Sequence, residues 1–291
     1  MHFIVILLAI VCAYVIRYLS QIDYFQKQRN WNYSLFFFIA PVLLILMSSI
    51  AIVTMGYEGQ MWGFQATIIS YILAWFCLGF AVINLIVYAV EIKLISQKIA
   101  GFKEEEVLGE RVKILESSFP YAGLIGFESQ KKGLFMFLNE SYLVLSRGLI
   151  NLLSPEHLEA VIAHEKSHQK HHDPLIFFCL SYCKRITFWL PNNDNLWQNL
   201  VLLRELRADN TASQSVDFLL LAESLLMVTQ EAMKEVNPMD NNMVCPFINF
   251  RLNERIDALI NDGHRVNSFR WYQLTWILLV FIPFLTIPFH Q

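Results

Sequence analysis

Four long apolar stretches divide this 291-residue chain. They cover residues 3–19, 33–55, 63–92 and 271–289, and each approaches or exceeds the roughly 20 residues that a membrane-spanning helix needs. Charged residues make up only 16% of the chain, whereas a soluble domain carries about 25%. Because a spanning segment must satisfy its own backbone hydrogen bonds, we expect about four transmembrane helices.

Two details of these spans predict how they meet the bilayer surface. The third stretch is longer than the hydrocarbon layer, so we expect it to tilt or to extend into water near Glu91 and Lys93. Arg17 lies near the end of the first stretch and is expected to snorkel to the interface.

The positive charges of the loops predict an orientation. The first loop carries Lys27 and Arg29, and the second, at about residues 56–62, has no Lys or Arg. Three lysines follow the third span: Lys93, Lys98 and Lys103. We therefore expect both termini outside and residues 93–270 in the cytoplasm, in a bacterial inner membrane.

The residues His164-Glu165-Lys166-Ser167-His168 form an H-E-x-x-H motif. On a helix the two histidines lie one turn apart on one face and can bind a single ion. Zinc accepts two imidazoles and takes a third protein ligand, leaving one position for water. Glu165 is then the candidate base that removes a proton from that water.

Local signals predict that this motif is helical. Ser154 is a good N-cap, and Pro155 occupies the favoured first helical position. Asp173 precedes a proline and therefore marks an end. A helix is expected over about residues 155–172.

Glu205 is the best candidate for the third metal ligand. Asp209 lies one turn further on the same predicted helix, where it could orient a zinc-bound histidine. The alternative is a solvated helix in which Glu205 and Asp209 pair with Arg204 and Arg207. His157, His171 and His172 remain alternative ligands.

The run from Leu153 to His168, followed by Asp173-Pro174-Leu175, resembles the integral-membrane zinc peptidases. One group of these is the BlaR/MecR-type signal transducers, and the other is the heat-shock and prenyl-protein-processing proteases. The stretch from Phe188 to Trp197 is more similar to the first group. The resemblance implies that Glu205 is the third ligand and Asp209 its companion, because both groups share a Glu-x-x-x-Asp pattern.

The same resemblance bears on two further segments. The segment at residues 251–256 looks like an arginine-bearing segment of these domains, so Arg251 or Arg255 could act in the site. Arg255 is the candidate oxyanion donor, with pairing to Glu254 or Asp257 as the alternative. Only His290-Gln291 follow the last span, so we expect no extracellular sensor domain.

We expect a mainly α membrane protein with a cytoplasmic α+β zinc-peptidase domain. Residues 1–92 would form the membrane domain, 93–270 the peptidase domain and 271–291 a last transmembrane helix. The start of the peptidase domain reads as charged and helical, with the glutamates at 104–106 on a solvated face. Residues 134–138 and 142–146 read as strands, and an edge strand would bind substrate in this class.

The apolar run at 174–190 contains Lys184-Arg185 and reads as a helix at or partly in the membrane surface. The expected function is zinc-dependent cleavage of a cytoplasmic or membrane-associated protein, in a regulatory role. Housekeeping quality control and a catalytically silent metal-binding scaffold are the alternatives. A regulatory membrane partner is possible in this scheme. Nucleic acid is not expected, because the net charge is −3 and no basic run occurs.

Overall fold

The computed structural model describes residues 2–22, 30–58, 60–61, 64–65, 68–125, 141–235, 251–260 and 271–289. The chain divides into two compact units. The first consists of Met1–Ala89, Cys179–Leu203 and Val266–Gln291, and the second of Val90–Phe178 and Arg204–Arg265. The architecture is mainly helical with a small mixed sheet, which confirms the predicted fold class. The predicted three-part domain division stays a prediction.

The first unit holds the apolar helices. Helices α1 (His2–Ile22), α2 (Trp31–Met55) and α3 (Ile68–Ala100) are each long and apolar enough to cross a membrane. Strands β1 (Gln60–Met61) and β2 (Phe64–Gln65) form a small hairpin between α2 and α3. Three of the four expected spans are therefore present as helices.

The C-terminal apolar segment differs from these three helices. Trp271–Phe289 forms a 3-10 helix that packs against α2. Its apolar part, Thr275–Leu285, is shorter than the other candidate spans. The fourth transmembrane span therefore stays a prediction.

Helix α3 exposes an apolar surface of the kind that lipid covers. Its 33 residues extend about 50 Å, against a hydrocarbon thickness of about 30 Å. Ile69, Phe76 and Ile83 are each more than 60% exposed. Such a continuous exposed apolar surface is unusual in a soluble protein and favours contact with a bilayer.

Arg17 is buried within the first unit, so the expectation that it snorkels to the interface is wrong. Its side chain has no exposed surface, and Nη2 donates to the carbonyl oxygen of Phe38 and to Oγ1 of Thr187, at 3.2 and 3.4 Å. The guanidinium also lies over the Phe38 ring. The physical reason is that acceptors and an aromatic face are available inside the fold.

A four-stranded sheet forms one layer of the second unit. Its strands are β3 (Lys103–Val107), β4 (Glu110–Leu115), β5 (Ala122–Ile125) and β6 (Tyr142–Ser146), in the order β3-β4-β6-β5. The pairs β3/β4 and β5/β6 are antiparallel, and β4/β6 is parallel. The predicted strand at 142–146 is confirmed, whereas the one predicted at 134–138 lies outside the described residues.

The start of this unit corrects one expectation. Helix α3 ends at Ala100, and the glutamates at 104–106 lie in strand β3 rather than in a helix. Leu108 and Gly109 both have positive φ and form the two-residue turn to β4. Val112 and Ile114 alternate with Arg111 and Lys113, so one face of β4 is buried.

Helices cover this sheet and complete the core. Those that contribute to the second unit are α4 (Arg147–Leu152), α5 (Pro155–Lys170), α6 (Asp173–Ile186), α7 (Asn193–Ala212), α8 (Phe218–Glu235) and α9 (Leu252–Ile260). Side chains from β4, β6, α4 and α5 meet in one buried cluster that includes Ile114, Leu145, Leu149 and Ile162. The helix predicted at 174–190 is α6, which ends at Ile186, and its entry into the membrane stays a prediction. Helix α5 is thus held against the sheet on its apolar side.

Candidate metallopeptidase site

Helix α5 presents both histidines of the H-E-x-x-H motif in one place. Ser154 caps the helix, its Oγ accepting from the His157 backbone N–H, and Pro155 opens the first turn. His164 and His168 are each 7% exposed, and their Nε2 atoms lie 3.1 Å apart. The side chains therefore converge on one buried point.

Helix α7 brings Glu205 to the same point. Its carboxylate oxygens lie 3.3 Å from Nε2 of His164 and 3.6 Å from Nε2 of His168. The three side chains form a group that could hold a metal ion, with one atom from each within 4.8 Å of the others.

The donor set fits zinc. Zn–N and Zn–O bonds of about 2.1 Å in a tetrahedron place neighbouring ligand atoms about 3.4 Å apart. The spacings observed between the two imidazole nitrogens and the carboxylate, 3.1 to 3.6 Å, bracket that value. Two imidazoles and one carboxylate also form a usual ligand set of catalytic zinc.

A buried carboxylate stands behind each histidine. Nδ1 of His168 lies 2.8 Å from Oδ2 of Asp173, in a hydrogen bond. Nδ1 of His164 lies 2.8 Å from Oδ1 of Asp209, although that contact falls short of hydrogen-bond geometry. Both carboxylates favour the proton on Nδ1, which leaves the lone pair of Nε2 for a cation.

Arginines hold these carboxylates in turn. Arg255 on α9 donates from Nε and Nη2 to Asp209, both at 2.8 Å, and its Nη1 lies 3.3 Å from Glu205. Arg207 pairs with Asp173. Two matched His–Asp–Arg chains therefore support the cluster from opposite sides.

The charges of this support are balanced. Arg204 donates to Glu205 and stacks on Phe177, so the three guanidiniums of Arg204, Arg207 and Arg255 face the three carboxylates of Glu205, Asp173 and Asp209. A buried ion pair is tolerated only when both charges are compensated in this way. Any further cation would then be matched by groups other than these six.

The electrostatics show that the cluster attracts a cation. Burial lowers the pKa of His164, but the Asp209 and Glu205 carboxylates more than offset it and raise that pKa to about 10. Burial raises the pKa of Glu205, while Arg204 and Arg255 bring it well below its ordinary value. Without a metal, the site therefore holds a proton at neutral pH, and a metal ion would replace it.

Glu165 lies next to this cluster. Its side chain is 9% exposed, and no hydrogen bond to its carboxylate occurs among the described residues. Its charge acts on Tyr121, whose pKa is raised to about 12 by burial first and by Glu165 second. Tyr121 therefore stays protonated at neutral pH and can donate a hydrogen bond.

The structure places the other candidate residues outside the cluster. His157 contacts Ser154 and Glu223, His171 contacts Thr211, and His172 is exposed. Arg255 pairs with Asp209 and Glu205 rather than with Glu254 or Asp257, and Arg251 pairs with Glu254. The arrangement favours Arg255, not Arg251, as part of the site, in contact with the carboxylates.

Sequence reasoning missed the roles of Asp173, Tyr121 and Arg207. Asp173 appeared only as the end of the motif helix, and Arg207 as a partner of Asp209. The five-residue spacing from His168 to Asp173 is a signal, but it requires the chain to reverse at His172, whose φ is +55°. Tyr121 precedes a strand that gave no strong sequence signal.

The fold and the cluster together define the class of protein: the domain that carries them is of the metallopeptidase class. The model of Peptidase family M48 matches residues 102–235, which contain both histidines, Glu165, Glu205 and Asp209. Residues 251–260, which include Arg255, lie beyond the matched region.

Two curated relatives are similar to this chain. A "Protease HtpX homolog" of Archaeoglobus fulgidus is 24% identical over 155 residues, covering 52% of this chain and 44% of that protein. A "Protease HtpX homolog" of Campylobacter hominis is 30% identical over 141 residues, covering 45% and 48%. The chain thus spans about half the length of the curated relatives it matches. No solved structure matches it.

These matches support the wider class of membrane metallopeptidases. They do not single out the BlaR/MecR type, to which the Phe188–Trp197 stretch had seemed more similar. Apolar helices α1 to α3 agree with an integral membrane protein.

Proposed function

We propose that this protein is a membrane-embedded, zinc-dependent endopeptidase. The observation that carries the proposal is the convergence of His164, His168 and Glu205 beside the buried Glu165. A metal-binding scaffold would need the three ligands alone, whereas Glu165 adds the group that hydrolysis requires. The match to a peptidase family supports the same reaction.

Zinc held by His164, His168 and Glu205 would lower the pKa of a water molecule and polarise the scissile carbonyl. The carboxylate of Glu165 takes one proton from the attacking water and delivers it to the nitrogen of the leaving amine. The peptide C–N bond breaks, and the water oxygen stays on the new carboxyl group. Asp209 and Asp173 keep both imidazoles oriented during this cycle.

The substrate would lie along strand β5. Among the described strands, β5 pairs only with β6, so its other edge is open to an extended chain. Helix α5 packs against β5, which brings this edge next to the motif helix. Strand addition fixes the backbone of a peptide with little demand on its sequence.

The substrate is a cytoplasmic or membrane-associated protein in this proposal, and the role is regulatory. The alternative role is quality control of membrane proteins, and the same site would serve both. The finer resemblance to signal-transducer peptidases rests on the stretch from Phe188 to Trp197. A bacterial genome that places this gene beside a small repressor would favour regulation.

We also propose that the peptidase domain faces the cytoplasm of a bacterial inner membrane. Lys27 and Arg29 in the first loop support this orientation. Single cysteines in a cysteine-free chain, one at Tyr57 and one at Glu106, would be probed with an impermeant thiol reagent on intact cells. Labelling at Glu106 without labelling at Tyr57 would reverse the orientation.

Hydrolysis is tested with the purified full chain, loaded with zinc in detergent and given an unfolded protein as substrate. E165Q keeps the shape of the side chain but is a far weaker base, so cleavage should fall at least about 100-fold while zinc is retained. E159Q is the matched control, because Glu159 lies exposed on the same helix, and it should cleave normally. Cleavage by E165Q at more than a tenth of the wild-type rate would refute the assignment.

A further inference from the structure

A cavity of about 540 Å³ opens in the first unit, away from the metal cluster. Phe80 and Asn84 of α3 form one wall. Lys184 and Arg185, in the last turn of α6, and Asp194, in the first turn of α7, form another. The catalytic site that we propose uses none of these residues, so the cavity needs a separate explanation.

The position of the cavity along α3 matches the boundary of a bilayer. Asn84 follows Ile68, the first residue of α3, by 16 residues, which is about 24 Å of helix. Glu91, the first charged residue of α3, follows about 10 Å later. The cavity therefore lies near the end of the roughly 30 Å that hydrocarbon covers, where lipid head groups begin.

Aromatic side chains mark the same level. Phe188, which lines the cavity, is 71% exposed, and its neighbour Trp189 is 44% exposed. Large aromatic residues are enriched where membrane meets water, and water alone would leave these two at a cost. Helix α3 adds an exposed apolar surface on the hydrocarbon side, including Ile83.

The charge of the cavity selects an anion. Lys184 and Arg185 contribute two positive charges, and Asp194 contributes one negative charge, which leaves a net charge of +1. Nζ of Lys184 lies 2.9 Å from Asp194 and over the Trp197 ring, so the ammonium group is held in place. A phosphodiester carries a single negative charge and would balance this excess.

We propose that the cavity binds the phosphate of an anionic phospholipid, with the acyl chains lying on the exposed surface of α3. An acidic protein segment would also meet the positive charge. It would not account for the exposed aromatic residues or for the apolar surface of α3 beside them. The lipid explains the charge and the apolar surroundings together.

The test uses the purified full chain in nanodiscs that contain equal amounts of phosphatidylglycerol and phosphatidylcholine. Lipids that remain bound after gentle re-extraction are counted by mass spectrometry. The wild type should retain phosphatidylglycerol preferentially. Each cation near an anionic head group contributes about fivefold, so K184Q/R185Q should lower the preference about 30-fold. K103Q/R111Q removes one Lys and one Arg from exposed positions and should keep it.

A second variant predicts the opposite change. D194N removes the competing carboxylate, which is exposed, and should raise phosphatidylglycerol retention about fivefold. This variant alone decides the question if K184Q/R185Q does not fold. Equal retention of both lipids by the wild type, or unchanged retention in D194N, would overturn the proposal. So would a soluble acidic peptide that bound the protein in place of phosphatidylglycerol.

Discussion

Replacing Asp173 tests whether the second His–Asp–Arg chain supports the metal cluster. Asp173 is 2% exposed, and its carboxylate accepts from Nδ1 of His168 at 2.8 Å while pairing with Arg207. D173N preserves the shape and one acceptor oxygen but removes the charge. D173A removes both. The two variants should therefore weaken zinc binding in a fixed order.

The size of the effect follows from these contacts. Partners that orient a metal-ligating histidine are typically worth 10- to 100-fold in metal affinity. D173N should lie near the lower limit, about 10-fold, because its amide oxygen can still accept from Nδ1. D173A should lie near 100-fold. Losing the hydrogen bonds to a charged group should also lower the free energy of unfolding by about 1.5–3 kcal/mol.

The assay is competition for zinc between the metal-stripped full chain and a chromophoric chelator. D257N is the matched control, because Asp257 is exposed on α9, and its zinc affinity should equal that of the wild type. If D173A bound zinc within threefold of the wild type, Asp173 would have no role in holding His168.

Two other substitutions should act on stability. Lys at position 255 keeps the charge but loses the two-pronged contact with its carboxylate, so R255K should lower both zinc content and the thermal midpoint, whereas R251K should change each far less; equal effects would show that Arg255 has no special role. An ideal Cβ at Gly148 lies 1.7 Å from the carbonyl oxygen of Ser118, so G148A should cost at least about 1–3 kcal/mol in denaturant unfolding. G79A meets no atom within 4 Å and is its control; an unaffected G148A would contradict the packing.

Local sequence signals predict the motif helix well. Ser154 and Pro155 determine where α5 begins, and the helix ends at Lys170, two residues before the expected end. The apolar stretches likewise predict α1 to α3, because hydrophobicity over 20 residues needs no tertiary context. Glu205 came within reach through the Glu-x-x-x-Asp pattern, and the structure brings it to both histidines.

Other features depend on contacts distant in sequence. Arg255 meets Asp209 across 46 residues, so only the packing of α9 against the site reveals its partner. Arg17 finds its acceptors at Phe38 and Thr187, which hydropathy does not show. The β3–β4 hairpin is different, because the alternation of Val112 and Ile114 with charged residues was readable and was overlooked beneath the run of glutamates.

The central claim is that His164, His168 and Glu205 bind one zinc ion per chain. Elemental analysis of the purified full chain after dialysis against trace zinc tests it directly, in parallel with H168A, E205A and the control H157A. His157 is a histidine of the same helix that contacts Ser154 and Glu223 instead of the cluster. We predict one zinc in the wild type and in H157A, and a large loss in H168A and E205A. Full zinc in both H168A and E205A would contradict the proposed site.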